Sequence, residues 1–241
     1  MHVCSLTDIG EKREMNQDYL YACDSAVGVL PNLYMIADGM GGHSAGEFAS
    51  RNAIQVVVNS IRSSKEVDAV TVIREAVEKA NYLILDYARK HPEFSGMGTT
   101  LVLTSIFEGY VLTANVGDSR MYQIGDTIHQ ITRDHSFIQE MVRNGEMDEK
   151  TASIHPDRHK ITRAVGVSDT VEIDIFEVET VSGQQLLLCS DGLSNMVKDE
   201  EICSICRADE DITKRAQRLI RQANTNGGKD NITVILIELN S

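Results

Sequence analysis

Short apolar runs recur along almost the whole chain, at residues 19–22, 33–37, 100–106, 109–116, 120–124, 127–131, 171–178, 185–190 and 232–239. Runs of this length, rich in Val, Ile, Leu, Thr and Tyr, read as β-strands. Links as short as Gly125-Asp126 and Phe107-Glu108-Gly109 make the strands they join antiparallel neighbours. Helical spacing is confined to separate blocks. Ser44-Ala45-Gly46-Glu47 has the form of a capping box, opening a helix to about residue 60. Val67, Val70, Ile73, Val77, Ala80, Ile84 and Ala88 recur at helical spacing, and Pro92 stops that run. A short helix is expected after Asp134, with Phe137, Ile138, Met141 and Val142 on one face and Gly145 at its end, and another over residues 211–224. Many antiparallel strands with segregated helices predict an α+β fold, a sheet sandwich with helices outside. No repeat or linker divides the chain, so residues 1–241 are expected to form a single domain, with the polar stretch 146–160 as a mobile excursion.

With 241 residues, 42% hydrophobic and 24% charged, the chain can bury a sizeable core. Its net charge of −13 argues against a nucleic-acid binder and against electrostatic adhesion to anionic membranes. No apolar run approaches the ~20 residues of a membrane helix, so no membrane insertion is expected. The N-terminus lacks a charged-then-apolar signal pattern, and a cytoplasmic protein is expected. Cysteines at 4, 23, 189, 203 and 206 are odd in number and scattered, which suits reduced thiols. Cys203 and Cys206 form a CxxC without a second pair, and they read as helix residues facing a core.

The chemistry is signalled by one recurring arrangement, an Asp beside a Gly or small polar residue at the end of an apolar run. It occurs at Ala37-Asp38-Gly39, at Gly117-Asp118-Ser119 and at Ser190-Asp191-Gly192, and in mirror order at Lys229-Asp230-Asn231. A single Asp-Gly is a turn signal. Four aspartates at strand ends can converge at one rim of a sandwich, where they repel unless protonated or neutralised by cations. Hard oxygen ligands favour Mg²⁺ or Mn²⁺ over zinc. The glycine-rich Asp38-Gly39-Met40-Gly41-Gly42-His43 lacks the lysine of a P-loop, and its aspartate points to metal. Arg13 could clamp a phosphate bidentately.

Taken in order, Arg13…Asn16-Gln17-Asp18, Asp38-Gly39-Met40-Gly41-Gly42-His43, Gly96-Met97-Gly98-Thr99-Thr100, Asn115-Val116-Gly117-Asp118-Ser119-Arg120, Asp134-His135-Ser136, Ile161-Thr162-Arg163, Ser190-Asp191-Gly192 and Asp230-Asn231-Ile232-Thr233 closely resemble the bacterial metal-dependent serine/threonine protein phosphatases of the PPM, or type 2C, family. The resemblance spans essentially the whole chain. It implies two packed antiparallel sheets flanked by helices on both outer faces, an α-β-β-α sandwich with a metal site at one edge. It implies two core Mn²⁺ or Mg²⁺ ions. Asp38 would bridge them, Asp191 and Asp230 would complete one, and the Gly39 carbonyl would bind the other. Asp18 would act through water. Asp118, with Asp191, would hold a third, weaker ion. Arg13 matches the phosphate-binding arginine, and residues 146–160 match a flap beside the cleft. Gln17 stands where many bacterial members carry Glu. Met40 stands where the eukaryotic branch has its proposed general acid, which leaves His43 as the nearest candidate, either an acid or a structural loop residue.

The implied reaction is hydrolysis of phosphoserine and phosphothreonine by a hydroxide shared between the metals, without a phosphoenzyme. The implied partners are phosphorylated proteins and a cognate Ser/Thr kinase, with a monomer as the default state. Two rival readings are another two-metal phosphoesterase and a binding module that has lost the chemistry. The missing basic stripe counts against the first and the retained aspartates against the second.

Overall fold

The computed structural model describes residues 1–239 other than 43, 149, 150, 153, 154, 156, 158 and 159. The apolar runs do form strands, and consecutive side chains along them serve different layers. In β3 (Leu33–Met40), Leu33, Met35 and Ala37 face one core, whereas Tyr34 and Ile36 face another. In β10 (Gln185–Cys189), Leu187 and Cys189 point one way and Leu186 and Leu188 the other. In β11 (Ile232–Glu238), Val234 and Leu236 alternate with Ile235 and Ile237 in the same manner. Strands buried on both faces read as continuous apolar runs rather than alternating ones. Each fully buried aliphatic side chain contributes about 1.5–3 kcal/mol.

The shared middle layer joins two sheets. One has the order β1 (His2–Asp8), β11, β10, β7 (Arg120–Ile124), β8 (Ile128–Gln130). The other has the order β2 (Asp18–Cys23), β3, β5 (Leu101–Ile106), β6 (Tyr110–Val116), β9 (Asp174–Glu179), with β4 (Gly98–Thr99) on the end of β3. Every pairing of neighbours is antiparallel. Helices α1 (Ala45–Ser63) and α2 (Ala69–Lys90) cover the outer face of the second sheet through residues such as Ile54, Ile61, Ile73 and Ile84. Helices α4 (Asp191–Ser194), α5 (Asp199–Cys206) and α6 (Ile212–Thr225) cover the first through Leu193, Ile202, Leu219 and Ala223. The expected α-β-β-α sandwich is therefore the observed fold.

Several local expectations change. Ser44 precedes α1, but its side chain makes no capping hydrogen bond, so the capping box does not form. Helix α2 starts later than the spacing suggests, because the Asp68 carboxylate accepts from the Thr71 amide at 2.8 Å and fixes the N-terminus there. That leaves Val67 outside the helix and 80% exposed. Helix α3 (Phe137–Arg143) buries Ile138 but leaves Phe137 exposed. Strand β1 had no sequence signal. Its residues alternate only weakly, as suits an edge strand paired on one side with β11. Cys206 is buried and Cys203 half-buried on α5, both as free thiols. Of the expected flap at 146–160, residues 149, 150, 153, 154, 156, 158 and 159 lie outside the described residues.

Candidate active site

Antiparallel pairing delivers the aspartates to one edge. Asp18, the first residue of β2, lies directly across from Asp38 near the end of β3. Asp118 sits in the three-residue turn between β6 and β7, Asp191 opens α4 just after β10, and Asp230 stands just before β11. The Asp38 amide is 2.9 Å from the Thr100 hydroxyl, and that oxygen lies 2.8 Å from the Ser119 hydroxyl. Buried hydroxyls thus tie the strand carrying Asp38 to the turn carrying Asp118.

Two close approaches need glycine. A Cβ on Gly192 would lie 1.9 Å from the Asn231 carbonyl oxygen, so only glycine lets α4 come this near to β11. That contact sets Asp191 beside Asp230. A Cβ on Gly39 would lie 2.0 Å from the Gly46 carbonyl oxygen and 2.8 Å from that of Gln17. The Gly39 carbonyl is correspondingly held against the first turn of α1. Asn231 then anchors the loop before β2: its amide donates to the Ile9 and Met15 carbonyls at 2.9 and 3.0 Å, and its oxygen accepts from the Gln17 amide at 2.9 Å. The loop so held carries Arg13, whose Nη2 is 2.6 Å from Asp230 Oδ2.

The electrostatics are those of carboxylates forced together. Asp38 is raised well above the usual carboxylate range, first by burial and then by repulsion from Asp18, Asp191, Asp118 and Asp230. Asp191 is raised for the same reasons, with Asp118 its strongest repelling neighbour. Burial pushes Asp118 up to about 7, and Asp134 adds to it. Burial pushes Asp18 up to about 6, although hydrogen bonds from the Thr233 and Ser190 hydroxyls, 2.6 and 2.7 Å long, pull it down.

This set fits divalent cations. Among the described residues, Oδ1 of Asp18 and Oδ1 of Asp191 are buried without a hydrogen-bond partner, a costly arrangement unless a cation meets them. The carboxylates are hard oxygen donors of the kind Mg²⁺ and Mn²⁺ take. Among the described residues, no three Asp, Glu, His or Cys side chains are already closed around one cation-sized point. Arg13 holds Asp230 at 2.6 Å, and the Asn195 side-chain amide donates to Asp191 at 2.9 Å.

Beside the carboxylates lies a cleft of about 410 Å³ lined by Asp118, Arg120, Asp134, Asp191, Asn195 and Lys198, among others. Arg120 forks onto Asp134, with Nη2 2.7 Å from Oδ2, and its Nη1 reaches the Tyr122 hydroxyl at 2.7 Å.

Of the residues expected from sequence, Arg13, Asp18, Asp38, Gly39, Asp118, Asp191 and Asp230 are gathered at this edge; His43 lies outside the described residues. Sequence reasoning missed Thr100, Ser119, Ser190, Asn231 and Thr233 as supports. Most flank the aspartates in the quoted runs, but nothing local says that Thr233 will serve Asp18.

A sandwich of this layering with an acidic centre at one edge defines the class. The pattern of the protein phosphatase 2C family matches residues 10–236. The serine/threonine phosphatase stp of Listeria welshimeri is 38% identical over 252 aligned residues, covering 100% of this chain and 96% of that protein. The serine/threonine phosphatase PstP/Ppp of Mycobacterium tuberculosis superposes with a TM-score of 0.89 at 34% identity, covering 100% of this chain and 99% of that one. The catalytic domain of PstP in complex with two manganese ions superposes with a TM-score of 0.86 at 32% identity, covering 100% and 98%. This chain belongs to the protein phosphatase 2C family.

Proposed function

We propose that this chain hydrolyses phosphoserine and phosphothreonine esters of proteins, using Mn²⁺ or Mg²⁺ at two core sites. Asp38, Asp191, Asp230 and the Gly39 carbonyl would hold the core pair, with Asp18 behind them through water. Asp118 and Asp191 would hold a third, weaker ion. Family membership gives the activity class and its dependence on divalent metal. The two manganese ions of the PstP catalytic domain support the core count. The single observation that carries the reading is the meeting of five aspartates from distant segments at one edge, with buried oxygens that lack partners among the described residues.

When bound, such cations lower the pKa of a water toward neutrality and neutralise phosphoryl oxygens. The chain's own residues do the rest. Arg13 exchanges Asp230 for the phosphate and clamps two of its oxygens. Ser190 and Thr233 keep the Asp18 carboxylate oriented by donating to it. The cleft beside Asp118 and Asp191 receives the polypeptide. His43 or solvent protonates the leaving seryl or threonyl oxygen. Residues 1–241 act as one catalytic domain, with 146–160 as a flap.

The substrates are phosphorylated proteins, and the expected counterpart is a Ser/Thr kinase acting on the same proteins. No described helix is long and apolar enough to cross a membrane. The deciding assay compares a phosphopeptide, p-nitrophenyl phosphate and single-stranded DNA, each with Mn²⁺ and with chelator. Turnover of the first two in Mn²⁺ alone is expected. Cleavage of DNA instead, or turnover that survives chelation, would overturn the reading.

A further inference from the structure

A second cavity, of about 510 Å³, adjoins the cleft, and Asp134, Gln139 and Val142 line both. Its walls carry three arginines, Arg133, Arg143 and Arg163, and three acids, Asp134, Glu140 and Asp174. Formal charge balances there, but hydrogen bonding does not. Asp134 is taken by the Arg120 fork. Asp174 faces His135 Nε2 at 3.2 Å and Arg163 Nη1 at 3.1 Å. Glu140 accepts the Thr162 hydroxyl at 2.8 Å. Arg163 is also tied to Glu172 at 2.9 Å. Arg133 and Arg143 are exposed, and among the described residues neither guanidinium has an ion-pair partner or a hydrogen bond. Two arginines whose guanidinium groups are uncommitted among the described residues thus line one cavity on a protein of net charge −13.

A guanidinium is a planar fork of donors matched to carboxylate and phosphate. We propose that this cavity is an accessory subsite for an anionic group carried by the substrate itself: a second phosphate or a carboxylate on the same polypeptide, a few residues from the phosphoresidue under attack. The proposal rests on the phosphatase reading above. The overall negative charge disfavours the approach of small free anions. A polypeptide already held at the metal centre avoids that cost, because its second group arrives at high effective concentration through the shared wall. Arg133 and Arg143 thereby become specificity residues without touching the reacting phosphate.

The test uses the Mn²⁺-loaded protein and a set of phosphothreonine peptides. Each carries one added phosphoserine or Glu, placed about 2–8 residues to either side, a span set by the ~3.3 Å reach of each residue. At one or two spacings KM is expected to fall about tenfold with kcat unchanged, the worth of one charge-assisted pair. The Arg133→Gln/Arg143→Gln variant is expected to lose that gain. Its kcat/KM for the unmodified phosphopeptide and for p-nitrophenyl phosphate should stay at the parent value. An absence of gain at every spacing, or a gain that survives in the variant, would overturn the subsite. So would stimulation of p-nitrophenyl phosphate turnover by inorganic phosphate that disappears in the variant, since the cavity would then serve a free anion. Failure of the parent protein to hydrolyse p-nitrophenyl phosphate would strike the phosphatase reading instead, and this proposal with it.

Discussion

Arg13 and Asp230, 217 residues apart in the chain, form an ion pair of 2.6 Å at the rim of the acidic edge. The pair joins the proposed phosphate clamp to a proposed metal ligand. Asp230 raises the affinity of Arg13 for its proton, and Asp38 and Asp191 add to the effect. Metal at Asp230 and phosphate at Arg13 would each give the two residues a better partner, so loading the site with both should part them.

Arg13→Ala is expected to raise KM for a phosphopeptide about tenfold or more while lowering kcat less, because much of its contact with phosphate is common to ground and transition states. Steady-state kinetics at saturating Mn²⁺ decides this. An unchanged KM would return Arg13 to being only the partner of Asp230.

Asp191→Asn and Asp230→Asn should each reduce kcat by about two orders of magnitude or more, since each removes ligand charge from the centre that activates water. Circular dichroism should show a retained fold. Parent-like kcat at saturating metal would remove that residue from the ligand set.

Asp118→Ala should cost one metal and leave two. Crystals soaked in Mn²⁺ should show three ions in the parent and two in the variant, with reduced phosphopeptide turnover. If Asp118 serves only its turn beside Gly117, stability falls and the ion count does not.

In chelator, the protein should become less stable as pH rises from about 5 to 8. Unfolded Asp titrates near 3.9, whereas folded Asp18 and Asp118 titrate at about 6 and about 7, with Asp38 and Asp191 also raised. The folded state therefore holds more protons in this window, and stability falls with rising pH. The stabilising contribution is complete below the unfolded value and lost as pH passes through the folded ones. His135, lowered by burial, works in the opposite direction near neutrality, but it is one group against four. Saturating Mn²⁺ should abolish the decline by replacing the protons. Thermal melts in EDTA that are flat or rising over this range would contradict the packing of the carboxylates.

Gly192→Ala should be costly for a one-carbon change, because the added Cβ would meet the Asn231 carbonyl oxygen at 1.9 Å. A loss of about 1–3 kcal/mol is expected from such overpacking, measured by urea denaturation, along with weaker Mn²⁺ binding as Asp191 shifts. Parent stability would mean that α4 has slack to move.

Much of the molecule was legible in the order of its residues. The apolar runs located the central strands β3, β5, β6, β10 and β11 because burial on both faces favours apolar side chains at most positions. Asp38, Asp118, Asp191 and Asp230 announced themselves because each interrupts such a run beside a residue suited to a turn. Strand β1 stayed hidden because an edge strand needs less apolar surface, and α2 began late because Asp68, rather than hydrophobic spacing, set its start. Only the tertiary structure could bring Thr233 and Ser190 onto Asp18, or Asn231 onto the loop of Arg13. The strength of those contacts depends on pairing between segments some two hundred residues apart, which no local pattern encodes. The sequence by itself determined which residues are capable of metal and phosphate chemistry. Antiparallel register decided that they share one edge, and the closeness of their charges there is what makes them a centre rather than scattered turns.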